Sequence, residues 1–199
     1  MPAVESLRSP ATWLATAWAW PLWRVVRATA AGPYTRRDAE RWAECLDRPQ
    51  LDRLPECARF GWLVASHPEF RSLVHYRLTP LPWAVRVLLR ALYRPLSTLH
   101  LNCAVIGPGL FIEHGFATTL TARTVGRDCR VNQQVTVGHT GRGQPVIGDR
   151  VSIGAGAVVG AVVVGPVMVR DDARIGANAT VVRDVPPGAV MLAPPAVPR

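Results

Sequence analysis

Between Val105 and Val185 an aliphatic residue returns every six positions, with glycine, small or acidic residues just behind it. The series reads Ile106-Gly-Pro-Gly109, Ile112-Glu-His-Gly115, Val125-Gly-Arg-Asp128, Ile147-Gly-Asp-Arg150, Ile153-Gly-Ala-Gly156 and Ile175-Gly-Ala-Asn178. An α-helix repeats every 3.6 residues and a half-buried strand every two, so neither explains the spacing. Six is the step of a parallel β-helix, in which three short strands close one triangular coil. One branched side chain per strand fills so narrow an axis while keeping the backbone extended. At the corners, Gly, Asn and Asp tolerate positive φ.

The breaks in register locate what leaves the coil. Val125, Val131 and Val137 keep step, as do Ile147, Ile153 and Val159, but Val137 and Ile147 are ten positions apart. About four residues therefore protrude at His139-Thr-Gly-Arg-Gly-Gln144, a usual place for ligand contact. A second break falls between Val159 and Val163, after which Val163, Val169, Ile175 and Val181 run in step; Gly160 to Val163 reads as a slipped insert.

The first hundred residues read differently. Thr35 to Asp38 is expected to cap a helix running to Leu46, Pro55 to start another, and Leu81 to Tyr93 to form an amphipathic one that Pro95 ends. The reading is an α-helical region over residues 1–100 and a β-helix with a C-terminal tail over 101–199. Ala11 to Val26 is apolar and carries Trp13, Trp18, Trp20 and Trp23, but Pro21 interrupts it and Arg24 and Arg27 follow it. It matches neither a signal peptide nor a spanning helix. It reads as a helix packed within an oligomer, with a Trp-rich contact to a membrane surface as the second reading.

All 23 basic residues are arginine, and they are spread over both halves, so the net charge of +9 marks no nucleic-acid-binding face. It suits attraction of an anionic substrate such as coenzyme A. Cys45, Cys57, Cys103 and Cys129 lack CxxC or zinc spacing and read as reduced thiols of a cytoplasmic protein.

A filled axis forces any active site onto a corner or between copies of the chain. His114 and His139 are the repeat-region histidines, and imidazole can take a hydroxyl proton at neutral pH. Tyr76-Arg-Leu78, Ile106-Gly-Pro-Gly-Leu-Phe-Ile-Glu-His-Gly115, Gln133-Gln-Val-Thr-Val-Gly138, Thr140-Gly-Arg142, Ile147-Gly-Asp149, Ile153-Gly-Ala-Gly156 and Asp184-Val-Pro-Pro-Gly188 occur in that order. Over residues 75–190 the chain thus resembles serine O-acetyltransferases and their shorter relatives among polysaccharide O-acetyltransferases.

The resemblance implies a left-handed β-helix, acetyl-CoA as co-substrate with no metal, a homotrimer or dimer of trimers, and sites between subunits. It makes His114 the general base and Glu113 an acceptor contact. Gly138, Ala155 and Ala177 would line the pantetheine channel with Gly156 beside them, and Arg142 would lie near the cofactor with Thr140 and Gly141. His139 would replace a histidine of the family's longer loop, which carries an Arg-His pair that engages serine and is shortened here. The aspartate that orients the catalytic histidine, fifteen positions before it, is replaced by Leu99. L-Serine is the first acceptor to expect. A sugar or another biosynthetic intermediate is the alternative, and a non-catalytic or metal-binding β-helix the rival of another class; two histidines 25 positions apart are a poor metal set.

Overall fold

A computed structural model describes residues 10–138, 143–160 and 166–195. The chain divides into two compact units, Met1–Leu96 and Ser97–Arg199.

The first unit holds α1 (Pro10–Arg27), α2 (Ala31–Cys45), a 3₁₀ turn at Pro49–Arg53, α3 (Glu56–Ser66), α4 (Pro68–Arg77) and α5 (Trp83–Leu92). Pro21 does not interrupt α1. Its missing N–H costs one helical bond, but Ala19, Leu22 and Val26 are buried and the helix closes onto α3. At that crossing a Cβ on Gly61 would stand 2.7 Å from the Thr16 Cα, so only glycine lets the two backbones approach. Trp42, Phe70 and Phe60 meet edge to face at 5.2 and 5.9 Å in the core.

Thr35 and Asp38 are not caps. Helix α2 starts four residues before Thr35, with Pro33 in its first turn where no N–H is needed, and both residues are buried inside it. Asp38 instead accepts two bonds from Arg77 of α4, Nε to Oδ2 at 3.0 Å and Nη2 to Oδ1 at 3.1 Å. Pro55 does start α3, and the predicted amphipathic helix is α5, ending before Tyr93.

The second unit is the expected left-handed parallel β-helix. Its first face stacks Leu99–Leu101, Thr118–Leu120, Thr136–Val137, Val158–Val159 and Thr180–Val181. The second stacks Val105–Ile106, Thr124–Val125, Val146–Ile147 and Met168–Val169. The third stacks Phe111–Ile112, Arg130–Val131, Ser152–Ile153, Arg174–Ile175 and Val190–Met191. Ile106, Val125, Ile147 and Val169 fill one side of the axis, Ile112, Val131, Ile153 and Ile175 another, Leu120, Val137, Val159 and Val181 the third; all are buried.

Beyond the axial residue of each strand, a second position in most repeats is buried, just ahead of the strand. Cys129, Val135, Val151, Ala157, Val167, Ala173 and Ala179, each two positions before an axial residue, are also buried. Cys129 thus belongs to the core: its thiol donates to the Gly148 carbonyl at 3.1 Å, and burial pushes its pKa up to about 12.

The second register break falls within the interval from Val159 to Val169. Val137 pairs with Val159 and Ile147 with Val169, each 22 positions on, where three hexads need 18. The interval from Val159 to Val169 therefore repeats the ten-residue interval from Val137 to Ile147 one coil later. Both intervals begin at the same edge: a Cβ on Gly160 would meet the Gly138 carbonyl oxygen at 3.1 Å, and one on Gly143 would meet Pro166 at 3.2 Å. Residues 139–142 and 161–165, Val163 among them, lie outside the described residues.

Candidate active site

One corner of the first coil is longer than those stacked on it. Ile112 to Leu120 spans eight positions, whereas the equivalent steps Val131 to Val137, Ile153 to Val159 and Ile175 to Val181 span six. The two extra residues swell the segment that carries Glu113 and His114. A strict hexad would put an aliphatic residue at 118; Thr118 stands there instead, fully buried, its hydroxyl facing the Phe116 and Asn132 carbonyls at 3.2 and 3.3 Å. That polar residue was the available sign of the swelling, and the six-residue count passed over it.

His114 is exposed at this corner with φ +56°. Positive φ recurs at the corners, but the residue that stacks with Gln134 and Asn178 is Ala117 at φ +50°, so the left-handed turn at His114 belongs to the two-residue swelling. Among the described residues nothing hydrogen-bonds the imidazole. Leu99, which stands where an orienting aspartate would be, is buried in the first face and paired with Thr118.

Glu113 is held from the next coil. Its Oε2 accepts from Arg130 Nη2 at 2.6 Å, Arg130 Nε at 3.3 Å and Asn132 Nδ2 at 2.8 Å. The Asn132 side-chain oxygen in turn accepts the Gln133 N–H at 2.7 Å. Neither Arg130 nor Asn132 was anticipated. Their signal was the pairing register, which sets Phe111 beside Arg130 and Ile112 beside Val131.

The backbone carries this corner along one edge of the prism. Glu113 N–H donates to Val131 O, Asn132 to Ile153 O and Gly154 to Ile175 O, while Gly156 donates to Gln133 O and Asn178 to Ala155 O. Glu113, His114, Ala155, Gly156 and Ala177 therefore share one edge, on successive coils. Rungs about 4.8 Å apart place Ala177 about 14 Å from His114 along it. The ladder of small residues is tight: a Cβ on Gly154 would lie 2.7 Å from the Ala177 nitrogen. Gly138 is at the other end of the first-face strand Thr136–Val137, on a different edge. His139, Thr140, Gly141 and Arg142 lie outside the described residues.

Arg150 and Asp172 form a separate pair at 2.7 and 2.8 Å on another corner; their hydrogen bonds hold the Asp172 carboxyl below its usual range. A cavity of about 290 Å³ lies in the helical unit, beside Trp23, Thr35, Arg36 and Phe60. Among the described residues no three His, Cys, Asp or Glu side chains gather to hold a metal, and no helix is long and apolar enough to cross a membrane.

The hexad β-helix and comparisons with known proteins together place the chain among hexapeptide-repeat acyltransferases. No family model matches the sequence, but individual relatives do. A serine acetyltransferase of Mycobacterium tuberculosis is 36% identical over 159 residues, 74% of this chain and 68% of the relative. One of Helicobacter pylori is 46% identical over 91 residues, 43% of this chain and half of the relative. The chain belongs to the serine acetyltransferase family. Solved structures agree in fold: Neisseria gonorrhoeae serine acetyltransferase in complex with serine superposes with a TM-score of 0.61 at 20% identity, over 98% of this chain and 84% of that one. Entamoeba histolytica serine acetyltransferase isoform 3 in complex with cysteine gives 0.60 at 21%, over 94% and 64%.

Proposed function

We propose that this chain transfers the acetyl group of acetyl-CoA to the hydroxyl of L-serine, with His114 as general base. The kinship with serine acetyltransferases carries the reaction and acceptor; the histidine corner at the head of a small-residue edge carries the location. No observation favours a sugar acceptor.

His114 takes the hydroxyl proton as the oxygen attacks the thioester carbonyl carbon, giving a tetrahedral oxyanion that a backbone N–H can stabilise. The oxyanion collapses, the carbon–sulfur bond breaks, and the departing thiolate takes the proton from His114. No acyl-enzyme is needed. Gly154, Ala155, Gly156 and Ala177 offer no bulk to an extended pantetheine arm laid on their edge. In this reading Arg142, with Thr140 and Gly141, would serve the cofactor and His139 the acceptor, while Gly138, on another edge, would reach the cofactor from a neighbouring subunit.

The imidazole, unpartnered among the described residues, needs an orienting group from the acceptor or a neighbouring subunit, which fits a homotrimer or dimer of trimers. Exposed Trp13, Leu14 and Trp20 of α1 and Trp83, Leu88 and Leu92 of α5 are apolar surface that further copies can cover; a membrane contact would use the same faces. A cytoplasmic location goes with this chemistry.

Acetyl-CoA offered with serine, homoserine and a panel of sugars, with products identified by mass, tests the assignment. O-Acetylserine is the expected product, and acetylation of a sugar with serine untouched would overturn it.

A further inference from the structure

At the histidine corner, Glu113 and Arg130 each leave one charged atom open. Oε2 of Glu113 takes both Arg130 bonds and the Asn132 bond; among the described residues nothing hydrogen-bonds Glu113 Oε1 or Arg130 Nη1. The two side chains are 26% and 44% exposed, so solvent or a ligand reaches both. Arg130 is held besides by the Phe111 ring, 5.8 Å from its guanidinium carbon. Mutual bonding fixes one carboxylate oxygen on Glu113, the neighbour of His114 in sequence, and one guanidinium nitrogen on Arg130 of the next coil. The complementary molecule has an ammonium for Oε1, a carboxylate for Nη1 and a hydroxyl for His114. Those are the three functional groups of an α-amino acid with a hydroxyl side chain.

We propose that Arg130 anchors the acceptor carboxylate and, with Glu113, selects a zwitterionic amino alcohol over neutral hydroxyl compounds. This inference rests on the acetyl transfer to serine proposed above. It places the cation on the rigid coil, where the resemblance would put it on a loop that this chain shortens. Arginine suits the task because its planar fork can bond Glu113 through Nε and Nη2 and still present Nη1.

The test compares serine with ethanolamine, the same amino alcohol without the carboxylate, for the full-length wild type, Arg130→Ala and Arg130→Lys. A hydrogen bond to a charged group corresponds to about 10- to 150-fold in affinity. Arg130→Ala should lower kcat/KM for serine by about that factor, chiefly through KM, leave ethanolamine within about threefold, and leave the KM for acetyl-CoA unchanged. Arg130→Lys should recover part of the serine preference. Equal loss with serine and ethanolamine would overturn the proposal and reduce Arg130 to a support for Glu113. An unchanged serine preference in Arg130→Ala would overturn it too. A wild type that acetylates neither amino alcohol but does acetylate a sugar would overturn the underlying reading instead.

Discussion

At single positions, the six-residue pattern told the axial residues apart from the corners but said nothing about how corners are tied to one another. Cys129 has no sequence motif around it, yet its place two positions before Val131 makes it a core residue. Burial raises Cys103 to about 11 and Cys129 to about 12, so both stay thiols through the neutral range, and a thiol is a poor nucleophile. In the native protein at pH 8, a thiol reagent should modify half-buried Cys45 and Cys57 and leave Cys103 and Cys129 until denaturant is added. Four thiols reacting at one fast rate would contradict the buried placement. Glu113 and His114 were legible because a motif names them. Arg130 and Asn132 were not, because only the stacking of coils 17 and 19 positions apart brings them to Glu113.

Among the elements, the coils were read from periodicity and the helices from punctuation, and punctuation misled once. Pro21 lies inside α1 because burial along α3 outweighs one lost bond. Thr35 to Asp38 has a capping composition, but Asp38 is consumed by Arg77 from a helix 39 positions away, a pairing with no local signature. The Tyr76-Arg-Leu78 motif thus serves the helical unit through this ion pair. The side chains are 5% and 1% exposed, and removing one partner of so buried a pair strands a charge at a cost of about 3–5 kcal/mol. Arg77→Ala should lose about that much in urea unfolding, while Asp38→Leu with Arg77→Met should recover most of it. A loss below about 1 kcal/mol for the single variant would show that the pair is not buried in solution.

For the molecule as a whole, a β-helix with a filled axis offers an edge and, among the described residues, no interior pocket, and the proposed chemistry is accordingly completed from outside the single chain. Light scattering should return three or six copies of the 21.7 kDa chain, and a fully active monomer would remove the intersubunit site. The fold was legible because its constraint repeats in every coil; the proposed site was legible only in part because its corner, Ile112 to Leu120, is where the six-residue repeat fails. The central claim is that this swollen corner performs acetyl transfer. Its most direct measurement is serine-dependent release of coenzyme A by wild type and His114→Ala, with binding of coenzyme A followed alongside. Loss of a general base should slow turnover by about 100- to 10,000-fold while coenzyme A still binds; turnover at the wild-type rate would place the chemistry elsewhere on the molecule.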